Sequence, residues 1–454
     1  MKIIIVGAGE VGFHIASRLS LENKDVVVVD SDLDAIRRVS ENLDVQVVND
    51  SGSSPQVLET AGIKEAEILL AVTDSDETNL IACLMADLIS PSTKKLARIR
   101  NADYDAYHDT FQNLAPRIDT IINPEIEVIK AIDRFLSVPG AVDVGEFENG
   151  KVKFVGIKLD SGTRFADVPL SELPRRLGAQ APLIAAIVRD EELIIPRGND
   201  RLKPGDVVYF IIEADRLNPT LEIFEQDLKP VRRALIIGGG RIGFRLARLF
   251  EEKSIPAKLI EKNPERCHRL AQTLDKVVVL HGDGTDQSLL EEEGVREMDV
   301  VVTLTDDEQT NVFASLLAKR LGVHQTITRI NSFRYFPLMS SIGIEQVVSP
   351  RLSAINSILH HIRRGKVLSA IAIKGEQAEV IEAVALETSD IVERPLRKIA
   401  LPKGVLVTVI IRGEQVIIPG GETVIKPGDR VIIFGTRQAV PKIEKLLAVK
   451  LEYF

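Results

Sequence analysis

Short apolar runs alternate with amphipathic stretches along the first part of the chain. Short apolar runs bounded by turn residues, as in strands buried on both faces, lie at Ile3–Val6, Val26–Val29, Val45–Val48 and Ile68–Val72. The stretches between them, such as Val11–Leu21 and Asp32–Asn42, have the apolar spacing of helices. This alternation predicts an α/β fold with a parallel, doubly wound sheet of the Rossmann type.

The same pattern occurs a second time. Met1–Leu19 corresponds to Arg232–Phe250, so that Gly238 lies 231 residues after Gly7. Between and after these units, Ile187–Ile211 and Ile410–Phe434 also match, each with IIP followed by KPGD. A length of 454 residues alone suggests about three domains. The repeat instead predicts four domains in the order A-B-A′-B′.

The B units have short strands and Pro-Gly turns, which indicates a small α+β domain. A helical segment joins each A unit to its B unit, at Pro124–Leu136 and at Pro350–Arg363. Its apolar spacing suits burial by a partner helix or packing within the same chain, and the sequence leaves both open. Asp215–Lys229 is the predicted linker between the halves. The predicted boundaries are 1–123 and 232–348 for the two doubly wound domains, and 124–228 and 350–454 for the joining helices with their α+β domains.

Two glycine-rich loops, each between a predicted strand and a predicted helix, carry the strongest chemical signal. They are Gly7-Ala8-Gly9-Glu10-Val11-Gly12 and Gly238-Gly239-Gly240-Arg241-Ile242-Gly243. In such a loop the first glycine allows a tight turn, the second lets the backbone approach a pyrophosphate, and the third lets helix and strand pack closely. The helix N-terminus then offers unpaired N–H groups to the phosphates. Two copies favour dinucleotide binding over the alternative, a loop that binds nothing.

An acidic residue ends the next predicted strand in both halves. Asp30 follows Gly12 by 18 residues, and Glu261 follows Gly243 by the same interval. A carboxylate at this position can accept hydrogen bonds from both ribose hydroxyls and repels a 2′-phosphate. The acids therefore favour NAD(H), or adenosine nucleotides with the same ribose and phosphates, over NADP.

Polar residues also follow the fourth and fifth predicted strands. Thr73 and Asp74 in the first half correspond to Thr305 and Asp306 in the second, and Arg98 corresponds to Arg329. Ligands of such sheets lie at the carboxyl ends of strands, so these side chains are candidates to face the nucleotide, with the arginines pairing with phosphate. The alternative is that the aspartates cap the next helices and that the arginines are surface charges.

Composition and charge exclude several classes of protein. A net charge of −9 argues against a broad nucleic-acid-binding surface. The two cysteines, Cys83 and Cys267, are too far apart in sequence for a disulfide framework and fit a reducing cytoplasm. No apolar run approaches the ~18 residues of a membrane span. The N-terminus runs directly into a strand, so we expect no secretion signal.

The parts needed for catalysis are missing from the sequence. A dehydrogenase needs a lobe that supplies an acid or base near the nicotinamide, and each B unit is too small for one. The seven histidines are scattered, and the adjacent pair His360-His361 would point apart on a helix. We therefore expect neither catalytic residues nor a metal site. Nucleotide binding without chemistry is typical of a sensor.

At this level the chain resembles the TrkA family, the NAD-binding regulatory subunits of bacterial and archaeal Trk potassium-uptake systems. The resemblance rests on MKIIIVGAGEVG, Asp30, VTDSDETN, the Arg98 strand and the tandem arrangement with its KPGD motifs. It implies paired RCK N-terminal (KTN) and RCK C-terminal (TrkA-C) domains. The nucleotide contacts that it implies are Gly7, Ala8, Gly9, Glu10, Val11, Asp30, Thr73, Asp74 and Arg98, and Gly238, Gly239, Gly240, Arg241, Ile242, Glu261, Thr305 and Asp306. Glu10 becomes Arg241 in the second loop, which predicts a different ligand preference.

The resemblance further implies a cytoplasmic protein held at the inner face of the membrane by a partner. That partner would be the potassium-translocating membrane subunit, gated by a homo-oligomeric ring of RCK units in response to NAD, NADH, ATP or ADP. Two alternatives stay open at this point. One is an NAD-dependent oxidoreductase, and the other is an RCK regulator of a different cation transporter.

Overall fold

The computed structural model describes residues 1–113, 117–138, 140–160, 165, 167–178, 181–224, 230–362, 367–373 and 377–447. In these residues it contains two six-stranded parallel sheets and two five-stranded antiparallel sheets. Each of the four predicted segments carries one of them. The predicted α/β class, with two Rossmann-like domains each followed by a small domain, is confirmed.

The first parallel sheet has the strand order 3-2-1-4-5-6. Its strands are β1 (Lys2–Val6), β2 (Asp25–Asp30), β3 (Gln46–Asn49), β4 (Ile68–Ala71), β5 (Lys94–Arg98) and β6 (Thr120–Ile122). The helices that connect them are α1 (Glu10–Leu21), α2 (Leu33–Asn42), α3 (Pro55–Thr60), α4 (Asp76–Ile89) and α5 (His108–Asn113). Strands β1 and β4 are adjacent, so the order reverses next to β1. Ligands of open α/β sheets bind at such a reversal.

A long helix, α6 (Pro124–Ser137), leads into the first antiparallel sheet. The strands of this sheet are β7 (Ala141–Phe147), β8 (Val152–Lys158), β9 (Leu183–Arg189), β10 (Glu192–Ile194) and β11 (Val207–Glu213), with two short helices, α7 (Leu173–Leu177) and α8 (Leu217–Ile223). Helix α8 lies within the segment predicted as a linker. It buries Leu217 and Leu221, so that prediction is wrong for this part, because an apolar face makes it part of a core. Residues 225–229 lie outside the described residues.

The second parallel sheet repeats the order of the first. Its strands are β12 (Ala234–Ile237), β13 (Ala257–Glu261), β14 (Val278–His281), β15 (Val300–Thr303), β16 (Gln325–Arg329) and β17 (Gln346–Val348). Its helices are α9 (Arg241–Glu252), α10 (Pro264–Thr273), α11 (Gln287–Glu292), α12 (Glu308–Arg320) and α13 (Phe336–Ser341). Strands β12 and β15 are buried along their whole length, as is typical of the central strands of a parallel sheet covered on both faces.

Helix α14 (Pro350–Ile362) follows, and then the second antiparallel sheet. This sheet consists of β18 (Val367–Ile373), β19 (Ala378–Val384), β20 (Val405–Arg412), β21 (Gln415–Ile417) and β22 (Arg430–Thr436), and α15 (Val440–Leu447) comes after it. The two antiparallel sheets share one hydrophobic core. Phe147, Phe154 and Tyr209 of the first sheet lie in the same buried cluster as Val380 and Phe434 of the second.

The repeated KPGD motif forms an equivalent contact in both antiparallel sheets. Asp206, its last residue, accepts hydrogen bonds from Nε and Nη2 of Arg189 at 2.8 and 2.7 Å. Asp429 holds Arg412 in the same way, at 2.9 and 2.8 Å. Both aspartates are buried, and such two-pronged pairs are among the stronger polar contacts in proteins. The repetition of KPGD therefore has a structural reason.

The described chain forms two compact units. One comprises residues 1–128 and 349–362, and the other comprises 129–348 and 363–454. Helix α14 follows the second parallel sheet in sequence but belongs to the first unit, where it packs on α1. It buries Ala354, Ile355, Ile358, Leu359 and Ile362. Of the two alternatives for this helix, packing within the same chain is therefore the one observed.

Candidate functional site

The two glycine loops have the same backbone geometry. Gly7 has φ +114° and Gly238 has φ +104°, conformations that residues with a side chain rarely adopt. A Cβ on either glycine would lie 2.8 Å from the main-chain nitrogen of Thr73 or Thr305. The loop after β1 thus lies against the end of β4, and the loop after β12 lies against the end of β15.

The remaining loop residues leave room where a pyrophosphate binds in this fold. A Cβ on Gly9 or Gly240 would meet nothing within 4 Å. The first helical hydrogen bonds run from Phe13 N to Gly9 O and from Phe244 N to Gly240 O, both at 2.8 Å. The preceding helical N–H groups therefore have no acceptor in the turn before them. Val11 and Ile242 bury their side chains, so they offer a ligand only their backbone.

The third glycine of each loop holds strand and helix together. A Cβ on Gly12 would lie 1.8 Å from the carbonyl oxygen of Gly7, and a Cβ on Gly243 would lie 1.9 Å from that of Gly238. No larger residue fits without moving the backbone. This is the packing role that the sequence predicts for the third glycine.

The two acids are held by equivalent backbone amides. Asp30 accepts from Ala8 N at 2.5 Å and from Asp32 N at 2.8 Å. Glu261 accepts from Gly239 N at 2.9 Å and from Asn263 N at 2.7 Å. A carboxylate has about four acceptor positions, so each acid retains capacity for ribose hydroxyls. The amides fix the carboxylates beside the glycine loops, which is the placement that the sequence predicts.

The second acid is the more enclosed of the two. Glu261 is 5% exposed and also pairs with Arg266, whose Nη1 lies 3.3 Å from Oε2. Its extra methylene has room because Gly239 replaces Ala8. A Cβ on Gly239 would lie 3.0 Å from Glu261 Oε2 and 2.4 Å from Leu270 Cδ1. The two cradles, meaning each glycine loop with its acid, therefore differ in shape.

A buried asparagine in each half joins the ends of two strands, and sequence reasoning missed both. Asn79 accepts from Thr73 N and Thr73 Oγ1 at 2.9 and 2.7 Å, and it donates to the carbonyl oxygens of Thr73 and Arg98 at 3.1 and 2.8 Å. Asn311 makes the same four contacts with Thr305 and Arg329. The threonine hydroxyls are thus engaged by asparagine. The available signal was the motif T-D-x-x-x-x-N in both halves.

In each half, the aspartate that follows the fourth strand forms an ion pair with the arginine at the end of the fifth strand. Arg98 Nη2 donates to Asp74 Oδ1 at 2.7 Å and to Thr73 O at 2.9 Å. Arg329 Nη1 lies 2.9 Å from Asp306 Oδ1. Burial is the main cause that lowers the pKa of Arg98, and within the described residues its Nε has no hydrogen-bond partner.

The structure does not support the alternative in which the aspartates cap the next helices and the arginines are surface charges. The N-cap of α4 is Ser75 and that of α12 is Asp307, so neither Asp74 nor Asp306 caps a helix. Arg98 is only 7% exposed and is not a surface charge. Asp74 is 93% exposed in its side chain, so its charge lies at the open side of the strand ends.

Position 10 differs most between the cradles. Glu10 Oε1 accepts from Arg38 Nη1 at 2.6 Å, and Arg38 Nη2 donates to Ala8 O at 3.2 Å. This hydrogen bond is the largest cause that lowers the pKa of Glu10, and Arg351 of α14 adds to it. Sequence reasoning missed Arg38. In the second half the corresponding residue after the loop is Arg241 at the start of α9.

The residues present fit a nucleotide in both cradles. Open space beside the middle glycine, helical N–H groups and a fixed acid lie at the carboxyl end of the central strand. Among the described residues, no cluster of three or more His, Cys, Asp or Glu side chains could hold a metal ion. In the same part of the chain no helix is long and apolar enough to span a membrane. Cys83 is buried, and burial raises its thiol pKa far above the ordinary value.

Comparisons with known proteins agree with this architecture. Sequence models of the TrkA-N domain match residues 3–124 and 234–350, and those of the TrkA-C domain match 154–225 and 380–448. The Trk system potassium uptake protein TrkA of Azorhizobium caulinodans is 38% identical over 100% of both chains. A TrkA homologue of Methanosarcina mazei is 39% identical over 98% of this chain and 100% of its own length.

Solved structures show the same fold at lower identity. The GsuK RCK domain superposes with a TM-score of 0.59 at 20% identity, covering 98% of this chain and 94% of that chain. The GsuK channel bound to NAD gives a TM-score of 0.59 at 19% identity, covering 98% of this chain and 78% of that chain. Since relatives above 30% identity match over the whole length and both domain types recur in tandem, the chain belongs to the TrkA family of Trk system potassium uptake proteins.

Proposed function

We propose that the chain is a non-enzymatic regulatory subunit of a potassium-uptake system. It binds NAD(H) or adenine nucleotides in both cradles and gates a separate potassium-translocating membrane subunit. The observation that carries this proposal is the duplicated cradle, with Asp30 and Glu261 each fixed by two backbone amides beside an open glycine loop. A ligand shifts a gating equilibrium only through its different affinities for the two states.

The choice of ligand follows from the acids. A fixed carboxylate accepts ribose hydroxyls and repels a 2′-phosphate, which favours NAD(H), ATP and ADP over NADP. The GsuK channel has been described with NAD bound, and its fold is that of this chain. In this proposal Thr73 and Thr305 contact the ligand by packing, because both their hydroxyls and their main-chain N–H groups bond asparagine.

Assembly and location form the second part of the proposal. Large apolar side chains are exposed on α4, where Ile81 and Leu88 are 43% and 66% exposed, and on α12, where Phe313 is 58% exposed. Exposed apolar faces are typical of protein interfaces. We infer a homo-oligomeric ring of RCK units at the inner face of the cell membrane. The names of the relatives, which are potassium uptake proteins, support a potassium-translocating membrane partner.

Calorimetric titration of the full-length chain tests the nucleotide sites. Asp30→Ala and Glu261→Ala each remove the ribose acceptor of one cradle, so each variant should lose one of two binding events for NADH or ATP. Asp25→Ala is the matched control, since this exposed residue lies at the opposite end of β2. Thermal melting checks that every variant is folded. If wild type and both variants bind nucleotide equally, the acids do not contact the nucleotide and the proposal is wrong.

A further inference from the structure

The end of each joining helix, α6 or α14, lies on the doubly wound domain of the other half. Lys94, the first residue of β5, donates from Nζ to the carbonyl oxygen of His361 near the end of α14 at 2.8 Å. Gln325, the first residue of β16, donates from Nε2 to the carbonyl oxygen of Phe135 near the end of α6 at 3.4 Å. Phe135 and His361 hold the same position, eleven residues after the proline that begins each helix. The two contacts are therefore equivalent.

The apolar faces of the two joining helices are alike. Val128 and Ile132 of α6 correspond to Ala354 and Ile358 of α14, and all four side chains are buried. Hydrophobic burial has no direction of its own, so faces this similar suit either doubly wound domain. Apolar packing alone therefore does not direct each joining helix to one domain.

Opposite charges meet where the joining helices lie near α1 and α9, the first helices of the two doubly wound domains. Arg38 donates to the Glu10 carboxylate, and Arg351 at the start of α14 also attracts it, so both arginines lower the pKa of Glu10. Near the end of α6, Asp133 forms an ion pair with Lys253, the C-cap residue of α9. Each joining helix is thus attracted to the first helix of the other half.

The attraction would become repulsion if α6 lay on α1 in place of α14. Glu125 of α6 corresponds to Arg351, and Glu22, the C-cap residue of α1, corresponds to Lys253. In that arrangement Glu125 and Asp133 would each face an acid. Like charges placed opposite each other are unfavourable, which is how charged residues exclude a wrong partner.

The balance is the same when every charged residue of the four helices is counted and histidine is taken as neutral. Helix α1 with its C-cap residue has two acids and one arginine, a net charge of −1, and α14 has a single arginine, +1. Helix α6 has three acids and two bases, −1, and α9 with its C-cap residue has four bases and two acids, +2. Arg38 on the next helix has a counterpart in Arg269, so it does not distinguish the halves. The other combinations, α1 with α6 and α9 with α14, would join like charges.

We infer that these charges select the pairing of the halves, directing α14 to α1 and α6 to α9, so that a first half pairs with a second half and not with the first half of another copy. The Asp133–Lys253 pair is partly exposed, so it contributes little to the free energy of unfolding. Its effect is on the choice of partner. This inference goes beyond the proposed function, because it does not depend on what the cradles bind.

Cross-linking in the full-length chain tests this selection. In a Cys267→Ser background, Lys94→Cys is combined with His361→Cys to report α14 on the first doubly wound domain. Combined with Phe135→Cys, it reports α6 in the same place. A short bismaleimide links cysteines that lie close together, and denaturing gels separate links within a chain from links between two chains. Cys83 is fully buried and does not react.

The two reporter pairs are compared in chains with natural charges, with reversed charges (Arg351→Glu/Asp133→Lys) and with conserved charges (Arg351→Lys/Asp133→Glu). Natural and conserved charges should give only the link between positions 94 and 361. Reversal changes the sign of two charge pairs, so it should lower the yield of that link by roughly three- to tenfold and produce a link between positions 94 and 135. Circular dichroism checks that each variant is folded.

The inference is wrong if the reversed chain is folded and gives the same two yields as the natural chain. It is also wrong if the conserved chain loses the link between positions 94 and 361 as much as the reversed chain does. Should the reversed chain not fold, the melting temperatures of Lys253→Asp, Asp133→Lys and their combination decide. Each single variant should melt at a lower temperature than the combination, which restores an ion pair of reversed sign. Single variants that melt no lower than the combination would overturn the inference.

Discussion

At the scale of single residues, one buried asparagine in each half connects the ends of two adjacent strands. Asn79 and Asn311 are both fully buried, and each satisfies four polar groups at the ends of two adjacent strands. These strand ends form one wall of each cradle. Because an amide side chain has two donors and an acceptor oxygen with two lone pairs, no apolar residue can replace it.

Asn79→Ala should therefore be strongly destabilising. The substitution takes the asparagine partner from the main-chain N–H of Thr73 and from the carbonyl oxygen of Arg98, whereas the Thr73 carbonyl oxygen keeps Arg98 Nη2 as a donor. Leaving such buried groups unpaired costs about 3 kcal/mol in the free energy of unfolding. Urea unfolding monitored by circular dichroism measures the change. Asn113→Ala removes one hydrogen bond from an exposed asparagine and should stay close to wild type. If Asn79→Ala lowers the free energy of unfolding as little as Asn113→Ala does, the hydrogen bonds of Asn79 are dispensable for stability.

The side chains that surround each acid differ in size between the two halves. Asp30, Ala8 and Val39 in the first half correspond to Glu261, Gly239 and Leu270 in the second. Gly239→Ala alone should destabilise the chain by about 1–3 kcal/mol, because its Cβ overlaps Leu270. Adding Glu261→Asp and Leu270→Val should recover most of the lost thermal stability. If the triple variant melts at the same temperature as Gly239→Ala alone, the sizes of these three side chains are not matched to one another.

The sequence reveals the acids but not the residues that surround them. Asp30 and Glu261 follow from their interval after the glycines, which the strand and helix lengths fix. Asn79 and Asn311 do follow Thr73 and Thr305 at a repeated interval, but a buried asparagine inside a helix is not a known ligand contact, so the repeat alone does not reveal what it bonds. Arg38 has no such interval, since it reaches the loop from α2 and bonds Glu10 and the backbone carbonyl of Ala8.

At the scale of elements, helix α14 shows what patterning can and cannot tell. Its apolar spacing predicts a buried face, and that face is buried. The pattern does not say which surface covers it, because many apolar surfaces satisfy the same periodicity. Similarly, the apolar face of α8 is visible in Leu217 and Leu221, yet its position between two repeats suggests a linker. For both helices, contacts with residues far away in sequence decide which surface covers the apolar face.

His361 near the end of α14 gives this packing a pH dependence. Burial, with His360 and Lys94 nearby, lowers its pKa from 6.5 to about 4, while Glu127 acts in the opposite direction. In the unfolded chain the imidazole takes a proton below about pH 6.5, and in the folded chain only below about pH 4. Stability should therefore fall as the pH drops through this window.

Melting temperatures between pH 6.5 and pH 4 test this prediction. His361→Gln has no titrating group and should reduce the slope of melting temperature against pH in that range. His268→Gln is a suitable control, because this histidine is exposed on α10. The same slope for wild type and His361→Gln would assign the acid sensitivity to other groups.

At the scale of the whole molecule, the exposed apolar side chains predict assembly. Leu88→Asp places a charge on α4 at a position that is 66% exposed, so folding should tolerate it. We expect light scattering after gel filtration to show a larger complex for wild type and a smaller one for Leu88→Asp. Leu21→Asp, at an equally exposed position near the end of α1, is the control. A folded Leu88→Asp variant of unchanged mass would exclude this face from the interface.

The most direct test of the account is potassium flux through the membrane partner reconstituted in vesicles with this protein. NADH and ATP are added to wild type and to the Asp30→Ala/Glu261→Ala double variant. We expect nucleotide to change the flux with wild type. The double variant should bind the membrane subunit but no longer respond, and the nucleotide should be recovered unchanged. An undiminished response from the double variant, or conversion of the nucleotide into a product that tracks the flux, would contradict it.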